Sequence, residues 1–174
     1  IIGFCFLVFL RGDVEVGLKG GASTLACSRH RCFSFRGASG IDGTLSLAMG
    51  LAANLGPLAL VTGDLALLHD SNGWLHASST SAPPLLLVLL IDNGGGGIFQ
   101  QLPIAKAGFE SLFAMPQQVD PLALAAAHGV PGRQVACLED LQEALAWGLS
   151  QQRPVLLRLC SDRGRDAALR QQLR

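Results

Sequence analysis

The stretch PLALVTGDLALLHDSNGWLHASSTSAPPLLLVLLIDNGGGG, residues 57–97, contains two apolar runs that each end in oxygen-bearing side chains. The first run ends at Asp64, and the second is followed by Asp92, Asn93 and four glycines. Both runs have strand length and lack polar alternation, which is typical of strands buried on both faces of a parallel sheet. We therefore expect two parallel strands whose carboxyl ends carry polar side chains.

Apolar periodicity and turn residues extend this pattern along the rest of the chain. The predicted elements are, in chain order, helix 44–54, strand 57–64, helix 67–77, a loop over 78–84, strand 85–91, a long loop through 108–118, helix 121–128, a short strand 134–137, helix 139–150 and strand 154–160. Their alternation predicts an α/β fold, a doubly wound parallel sheet with helices on both faces, built from right-handed βαβ units.

The N-terminal part of the chain is less regular. Residues 1–35 have no clear period, and we treat them as a divergent segment preceding a domain over 36–174. The first ten residues are apolar and are expected to form a core strand or to be a cut end, because they are too few to span a bilayer. The first methionine is Met49, so we expect a fragment or an incomplete gene model.

Composition narrows the class of protein. The chain has 174 residues, 49% of them hydrophobic, which is ample for a core. Thirteen basic residues balance thirteen acidic ones, so charge gives no reason to expect nucleic acid or an anionic membrane as a partner. The five cysteines are an odd number and are scattered, which favours a reducing compartment over a disulfide framework.

Candidate caps accompany two of the predicted helices. Asp42 or Thr44 is positioned to cap the helix over 44–54. Asp70 and Asn72 are expected to cap the helix that begins beside them.

The two strand ends predict a ligand site. In an open parallel sheet, ligands bind outside the carboxyl ends of the strands. A carboxylate, an amide oxygen and a backbone carbonyl suit Mg²⁺, which takes its remaining ligands from phosphates and water. Glycines at 94–97 would let the backbone approach such a ligand closely. Taken singly, the Gly-Asp pair would be interpreted as a helix cap or turn, and the glycine run as a flexible turn.

Two common nucleotide motifs are absent. No GK[ST] follows the glycines, which argues against a phosphate-binding P-loop, and no GxGxxG follows a strand, which argues against a dinucleotide-binding Rossmann domain.

The combination of a Gly-Asp, a βαβ unit and a second Asn resembles the thiamine diphosphate motif, with Asp92 in place of the first Asn and a spacer longer than usual. RGASGIDGTLSLAMG (36–50), VTGDLALLHDSNG (61–73) and NGGGGIFQQLPIA (93–105) are similar to the C-terminal domain of 2-succinyl-5-enolpyruvyl-6-hydroxy-3-cyclohexene-1-carboxylate synthases, of menaquinone and phylloquinone biosynthesis. This resemblance implies a thiamine diphosphate-binding fold and the cofactors thiamine diphosphate and Mg²⁺.

The resemblance also implies the metal and cofactor contacts. Asp64 and Asn93 would ligate Mg²⁺, with the carbonyl oxygen of Gly95 as a third ligand. Gly63 would lie beside the cofactor with them. Ile41 would pack under the folded cofactor.

Further roles implied by the resemblance concern the substrates. Arg36 matches an arginine directed at substrate carboxylates, for which a bidentate cation is apt. Ile98 would border the cofactor, and Phe99 and Leu102 would line the substrate pocket. From the residues alone, Arg36 would be interpreted as a surface arginine at a helix start, and the three apolar residues as core residues.

The implied reaction decarboxylates 2-oxoglutarate and adds the resulting carbanion to isochorismate. The implied partner is a pyrimidine-binding domain of the same protein or of a second subunit, carrying a glutamate that this chain lacks, in a homo-oligomer when full length. We therefore expect this chain alone to be inactive. Location would be cytoplasmic in a bacterium and plastidial in a photosynthetic eukaryote. The alternative is a non-catalytic α/β module that retains only the fold.

Overall fold

The computed structural model describes residues 6–9, 32–34, 41–78, 82–104 and 107–172. Its regular elements follow in chain order: β1 Phe6–Phe9, β2 Cys32–Ser34, α1 Thr44–Leu55, β3 Leu58–Gly63, α2 Asp64–His69, a 3₁₀ helix Ser71–Trp74, α3 Leu75–Ser78, β4 Leu86–Asp92, a 3₁₀ helix Gly97–Gln101, a π-helical turn Glu110–Ala114, α4 Pro121–Ala127, β5 Gly132–Val135, α5 Leu141–Ser150, β6 Val155–Cys160 and α6 Arg163–Gln172.

These strands form one sheet in the order β2-β1-β3-β4-β6-β5. The four strands β3, β4, β6 and β5 are parallel, as the uninterrupted apolar runs predict. β1 pairs antiparallel with both β3 and β2, which confirms a strand within the first ten residues and adds a second strand that the sequence did not predict. The α/β parallel sheet is confirmed, with two antiparallel strands at one edge.

Helices cover both faces of the sheet. One core lies between the strands and α1, α2, α3 and α4, and its largest fully buried side chain is Trp74. The opposite face is covered by α5, whose Ala144 packs with Leu87, Val155 and Leu157. Neighbouring residues of one strand thus point into different cores: Leu86 and Val88 face the first core, whereas Leu87 faces the second. This explains why β4 is apolar at every position from 86 to 91.

Several predicted elements differ from the observed ones. The single helix over 67–77 is wrong: the chain forms α2, a 3₁₀ helix and α3 there, because the sequence breaks at Asp70 and Gly73. The long loop before α4 contains a 3₁₀ helix and a π-helical turn. β5 begins and ends two residues earlier than predicted, and α6 was not predicted.

The predicted helix caps are also wrong. Residue Gly43, in the left-handed conformation, precedes α1 without a side-chain cap. Asp70, which was assigned to the helix beside it, instead accepts hydrogen bonds from α1: from the backbone N–H of Ser46 at 2.7 Å and from its hydroxyl at 3.0 Å. Glycine at position 73 lets the 3₁₀ helix pack closely against α1, since a Cβ there would lie 2.8 Å from Cγ of Leu45. A carboxylate supplied from 24 residues away therefore satisfies an N-terminal donor of α1.

Candidate functional site

The parallel register brings the polar strand ends to one edge of the sheet. Gly63, the last residue of β3, pairs with Ile91 of β4, so the next residues, Asp64 and Asp92, end adjacent strands side by side. Burial raises the pKa of the Asp64 carboxyl above its usual range; the backbone N–H groups of Leu65 and Gly95 lower it, and the negative charge of Asp92 raises it. Two carboxylates this close form a position that favours a bound cation.

Asp64 fixes the glycine turn, residues 94–97, to the end of β3. Its Oδ1 accepts a hydrogen bond from the backbone N–H of Leu65 at 2.8 Å. Its Oδ2 accepts one from the N–H of Gly95 at 2.5 Å, across 31 residues of sequence. Each carboxylate oxygen has a second lone pair, so both remain able to bind a further ligand.

Asp92 is held by an arginine of the neighbouring strand. Its Oδ2 accepts from Nε of Arg158 at 2.8 Å and from Nη2 of the same residue at 2.7 Å. Its Oδ1 accepts from the backbone N–H of Gly94 at 3.2 Å. The Asp92 side chain is only 14% exposed and that of Arg158 25%, so this is a largely buried ion pair. A second, longer ion pair joins Arg158 to Asp120 at 3.7 Å.

Asn93 carries a buried oxygen without a partner. Its Oδ1 makes no hydrogen bond to any described residue. Leaving such an atom unpaired costs about 1–3 kcal/mol, so an unpaired oxygen at the end of a strand is a candidate to bind a ligand. Two further buried polar atoms without a partner belong to residues near Asn93: Oε1 of Gln100, which is close in the sequence, and Nη1 of Arg163. The side chain of Arg163 packs on Gly97.

The fit to Mg²⁺ can be tested on these atoms. A half-buried carboxylate from Asp64 and the unpartnered amide oxygen of Asn93 are hard oxygen donors at the same sheet edge. The carbonyl oxygen of Gly95 accepts a hydrogen bond from the N–H of Gly97 at 2.8 Å, which leaves one of its lone pairs for a metal. The three predicted ligands therefore fit a divalent cation that takes its other ligands from phosphate oxygens.

Gly95 and Gly96 approach the π-helical turn closely. A Cβ on Gly95 would lie 2.1 Å from the carbonyl oxygen of Ala114, and one on Gly96 would lie 2.2 Å from that of Phe113. The N–H of Gly96 donates to the Ala114 carbonyl at 2.6 Å. Glycine is therefore required at these two positions, because the backbone of the π-helical turn leaves no room for a Cβ.

The remaining predicted residues are distributed around this edge. Ile41 is half-buried in the turn before α1, where its carbonyl accepts from the hydroxyl of Thr44 at 3.3 Å. Gly63 is extended, and Ile98 is half-buried at the start of the 3₁₀ helix. Arg36 lies outside the described residues.

Phe99 and Leu102 are not core residues, the alternative that the sequence left open. Phe99 is 37% exposed and Leu102 53% exposed. The ring of Phe99 makes an edge contact with that of Phe113, with centroids 5.7 Å apart. These side chains therefore form an accessible apolar surface next to the glycine turn.

Two arginines near the site were not singled out from the sequence. Arg158 could have been found, because it is the one charged residue in the apolar run VLLRLC of β6. Arg163 begins α6 and reaches Oε2 of Glu110, on the π-helical turn, at 2.9 Å. No local signal predicts this second contact, because it joins residues 53 apart.

The chain is similar to known proteins in sequence and fold. Residues 20–159 match the model of the family described as thiamine pyrophosphate enzyme, C-terminal TPP binding domain. The chain belongs to this family of thiamine diphosphate-binding domains. Benzoylformate decarboxylase from Polynucleobacter necessarius has the same fold, with a TM-score of 0.58 and 19% identity over 68% of this chain and 23% of that one.

More similar relatives carry a single enzyme name, 2-succinyl-5-enolpyruvyl-6-hydroxy-3-cyclohexene-1-carboxylate synthase. That of Synechococcus sp. (strain CC9605) is 94% identical over 149 residues, which are 86% of this chain and 27% of the relative. That of Parasynechococcus marenigrum (strain WH8102) is 73% identical over 86% of this chain and 27% of the relative. The resemblance seen in the sequence is confirmed, and the chain spans about a quarter of the length of these relatives.

Proposed function

We propose that the chain is the part of a 2-succinyl-5-enolpyruvyl-6-hydroxy-3-cyclohexene-1-carboxylate synthase that holds the diphosphate of thiamine diphosphate through Mg²⁺. The observation that carries this proposal is that the Asp64 carboxylate and the unpartnered, buried Oδ1 of Asn93 both lie at the carboxyl ends of adjacent parallel strands. Together with the Gly95 carbonyl they would hold the metal. Residues 36–174 would constitute this domain.

The bound cofactor would supply an electron sink for decarboxylation, while the protein supplies placement and charge. Ile41 would support the cofactor from the turn before α1, with Gly63 and Ile98 beside it. Such placement governs rate more than any single contact does. Phe99 and Leu102, both accessible, would exclude water from the substrate, and Arg36 would bind a substrate carboxylate.

The substrates of the whole enzyme would be 2-oxoglutarate and isochorismate, as in the reaction implied by the resemblance. A pyrimidine-binding domain, from the same protein or a second subunit of a homo-oligomer, would complete the site, so this chain alone would not turn over substrate. Neither nucleic acid nor a membrane is proposed as a partner: charges balance, and within the described residues no helix is long and apolar enough to cross a bilayer. The organisms of the relatives favour a bacterial cytoplasm over a plastid.

A chimaera tests this function directly. The chain replaces the matching quarter of the Synechococcus sp. (strain CC9605) synthase, and calorimetry measures thiamine diphosphate binding with and without Mg²⁺. We expect Mg²⁺-dependent binding and turnover of 2-oxoglutarate with isochorismate, and loss of both in Asp64→Asn. Asp140→Asn, an exposed aspartate before α5, is the matched control.

The same measurement separates the alternative class. A non-catalytic module would give a folded chimaera that binds no cofactor, and Asp64→Asn would then change nothing. That result would refute the proposed function.

A further inference from the structure

The charge at the sheet edge needs explanation. Asp92 stands where the resembling motif has an amide, which adds a second carboxylate beside Asp64. Like charges at short range repel each other and disturb a site that must also accept an anionic diphosphate. Arg158 compensates this negative charge, since its Nε and Nη2 both donate to Oδ2 of Asp92.

The ion pair also fixes the orientation of the Asp92 side chain. Because Arg158 occupies Oδ2, the other oxygen of Asp92 faces the N–H of Gly94 at 3.2 Å. The main chain of Asp92 is fixed as well, since its carbonyl accepts from the N–H of Ser161 at 2.8 Å. Asn93 follows directly, so the orientation of its side chain depends on how Asp92 is held.

We propose that Arg158 is a positioning residue for the metal and diphosphate site: it holds Asp92 through a two-point contact, so that Asp92 shapes the glycine turn instead of competing as a metal ligand. This inference rests on the proposed function. Arg158 reaches the site from β6, one strand beyond the two that carry the ligands, through the register that pairs Leu90 with Arg158 and Asp92 with Cys160.

Arginine suits this role for geometric reasons. Its planar guanidinium offers several donors in a fixed fork, whereas a lysine ammonium acts as a point charge. The two contacts to Asp92 leave Nη1 facing Asp120 at 3.7 Å, so the arginine lies between two carboxylates. A positive charge held on both sides cannot swing toward a bound diphosphate, which is consistent with positioning and not with direct ligand contact.

The proposal predicts a specific pattern in a double-mutant cycle, measured in the chimaera by calorimetric titration of thiamine diphosphate at saturating Mg²⁺. Arg158→Met leaves Asp92 uncompensated and is expected to weaken binding about 10–100-fold, the usual effect of losing a partner of a metal ligand shell. The double variant Asp92→Asn/Arg158→Met removes the excess charge and keeps an oxygen for Gly94, so it is expected to recover at least about tenfold relative to Arg158→Met.

Two further variants separate positioning from general stability. Arg158→Lys keeps the charge without the fork and is expected to bind between the wild type and Arg158→Met. Arg153→Met is the matched control, an exposed arginine at the opposite end of β6 that donates to the carbonyl of Gly129 at 2.7 Å. It is expected to bind cofactor within about twofold of the wild type.

The possible results of these binding measurements separate the proposed function from the proposed role of Arg158. Absence of Mg²⁺-dependent binding in the wild-type chimaera would refute the proposed function and this inference with it. Binding by the wild type, with Arg158→Met unaffected, would overturn the inference alone. A double variant as weak as Arg158→Met would also overturn it, because the weaker binding would then not come from the uncompensated charge of Asp92. If Arg158→Met does not fold, the double variant alone decides, by binding cofactor or failing to.

Discussion

Replacing Gly95 by alanine should destabilise the fold more than the same change at Gly94, where a Cβ would meet no close neighbour. The new Cβ would lie 2.1 Å from the carbonyl oxygen of Ala114, whereas carbon and oxygen in contact are normally about 3.3 Å apart or more. The backbone would have to move by about 1 Å, which costs about 1–3 kcal/mol as overpacking. Gly95 also has φ +117°, and left-handed backbone adds about 1–2 kcal/mol for a non-glycine residue.

Together these terms predict a loss of about 2–5 kcal/mol in the free energy of unfolding. For a chain of this size that corresponds to a fall in Tm of about 4–20 °C. The assay is thermal and urea unfolding of the 174-residue chain followed by circular dichroism, with the m value checked for constancy.

Two other glycines provide a graded control. Gly94 has φ +76° but only Nε of Arg163 within reach of a Cβ, at 4.0 Å, so alanine there should cost only the backbone term, about 1–2 kcal/mol. Gly50 lies inside α1 with nothing within 4 Å, so alanine should stabilise by about 0.5–1 kcal/mol. If Gly95→Ala destabilises no more than Gly94→Ala, the close packing of the glycine turn on the π-helical turn is refuted.

Three further results are expected. Asn93→Leu should abolish Mg²⁺-dependent cofactor binding in the chimaera while leaving Tm equal or higher, because it removes an unpartnered buried oxygen; a fall in Tm with binding intact would contradict this. Asp70→Ala should lower the stability of the chain by about 1 kcal/mol in urea unfolding through loss of the α1 cap, and an unchanged midpoint would contradict it. A hydrogen bond with Glu139 raises the pKa of the Cys137 thiol, so less thiolate is present at pH 8; alkylation by iodoacetamide should accelerate in Glu139→Gln, and an equal rate would refute the assignment.

The parallel strands and the polar side chains at their carboxyl ends could be predicted from the sequence because their signals are local. An apolar run without alternation specifies a strand buried on both faces, and β4 is buried at 86, 87, 88 and 90 and partly buried at 89 and 91. The placement of Asp64 beside Asp92 then follows from parallel pairing alone, without any knowledge of side-chain packing.

Contacts between distant segments could not be read in this way. The pairing of Asp92 with Arg158 joins residues 66 apart, and its direction depends on the β4-β6 order of the sheet. The same holds for Asp70, whose carboxylate was expected to serve its own helix and instead serves α1. Local propensity identifies a residue that can cap a helix end, whereas tertiary packing decides which helix it caps.

The cap on α1 has a consequence for biosynthesis. During translation Ser46 is synthesised before Asp70, and the two are 24 residues apart. At about 5–20 residues per second, the nascent helix lacks its acceptor for a second or more. α1 therefore gains its final stability only after β3 and α2 have been made, when the segment ending in Gly73 can seat on Leu45. α1 is thus completed by residues that are synthesised after it.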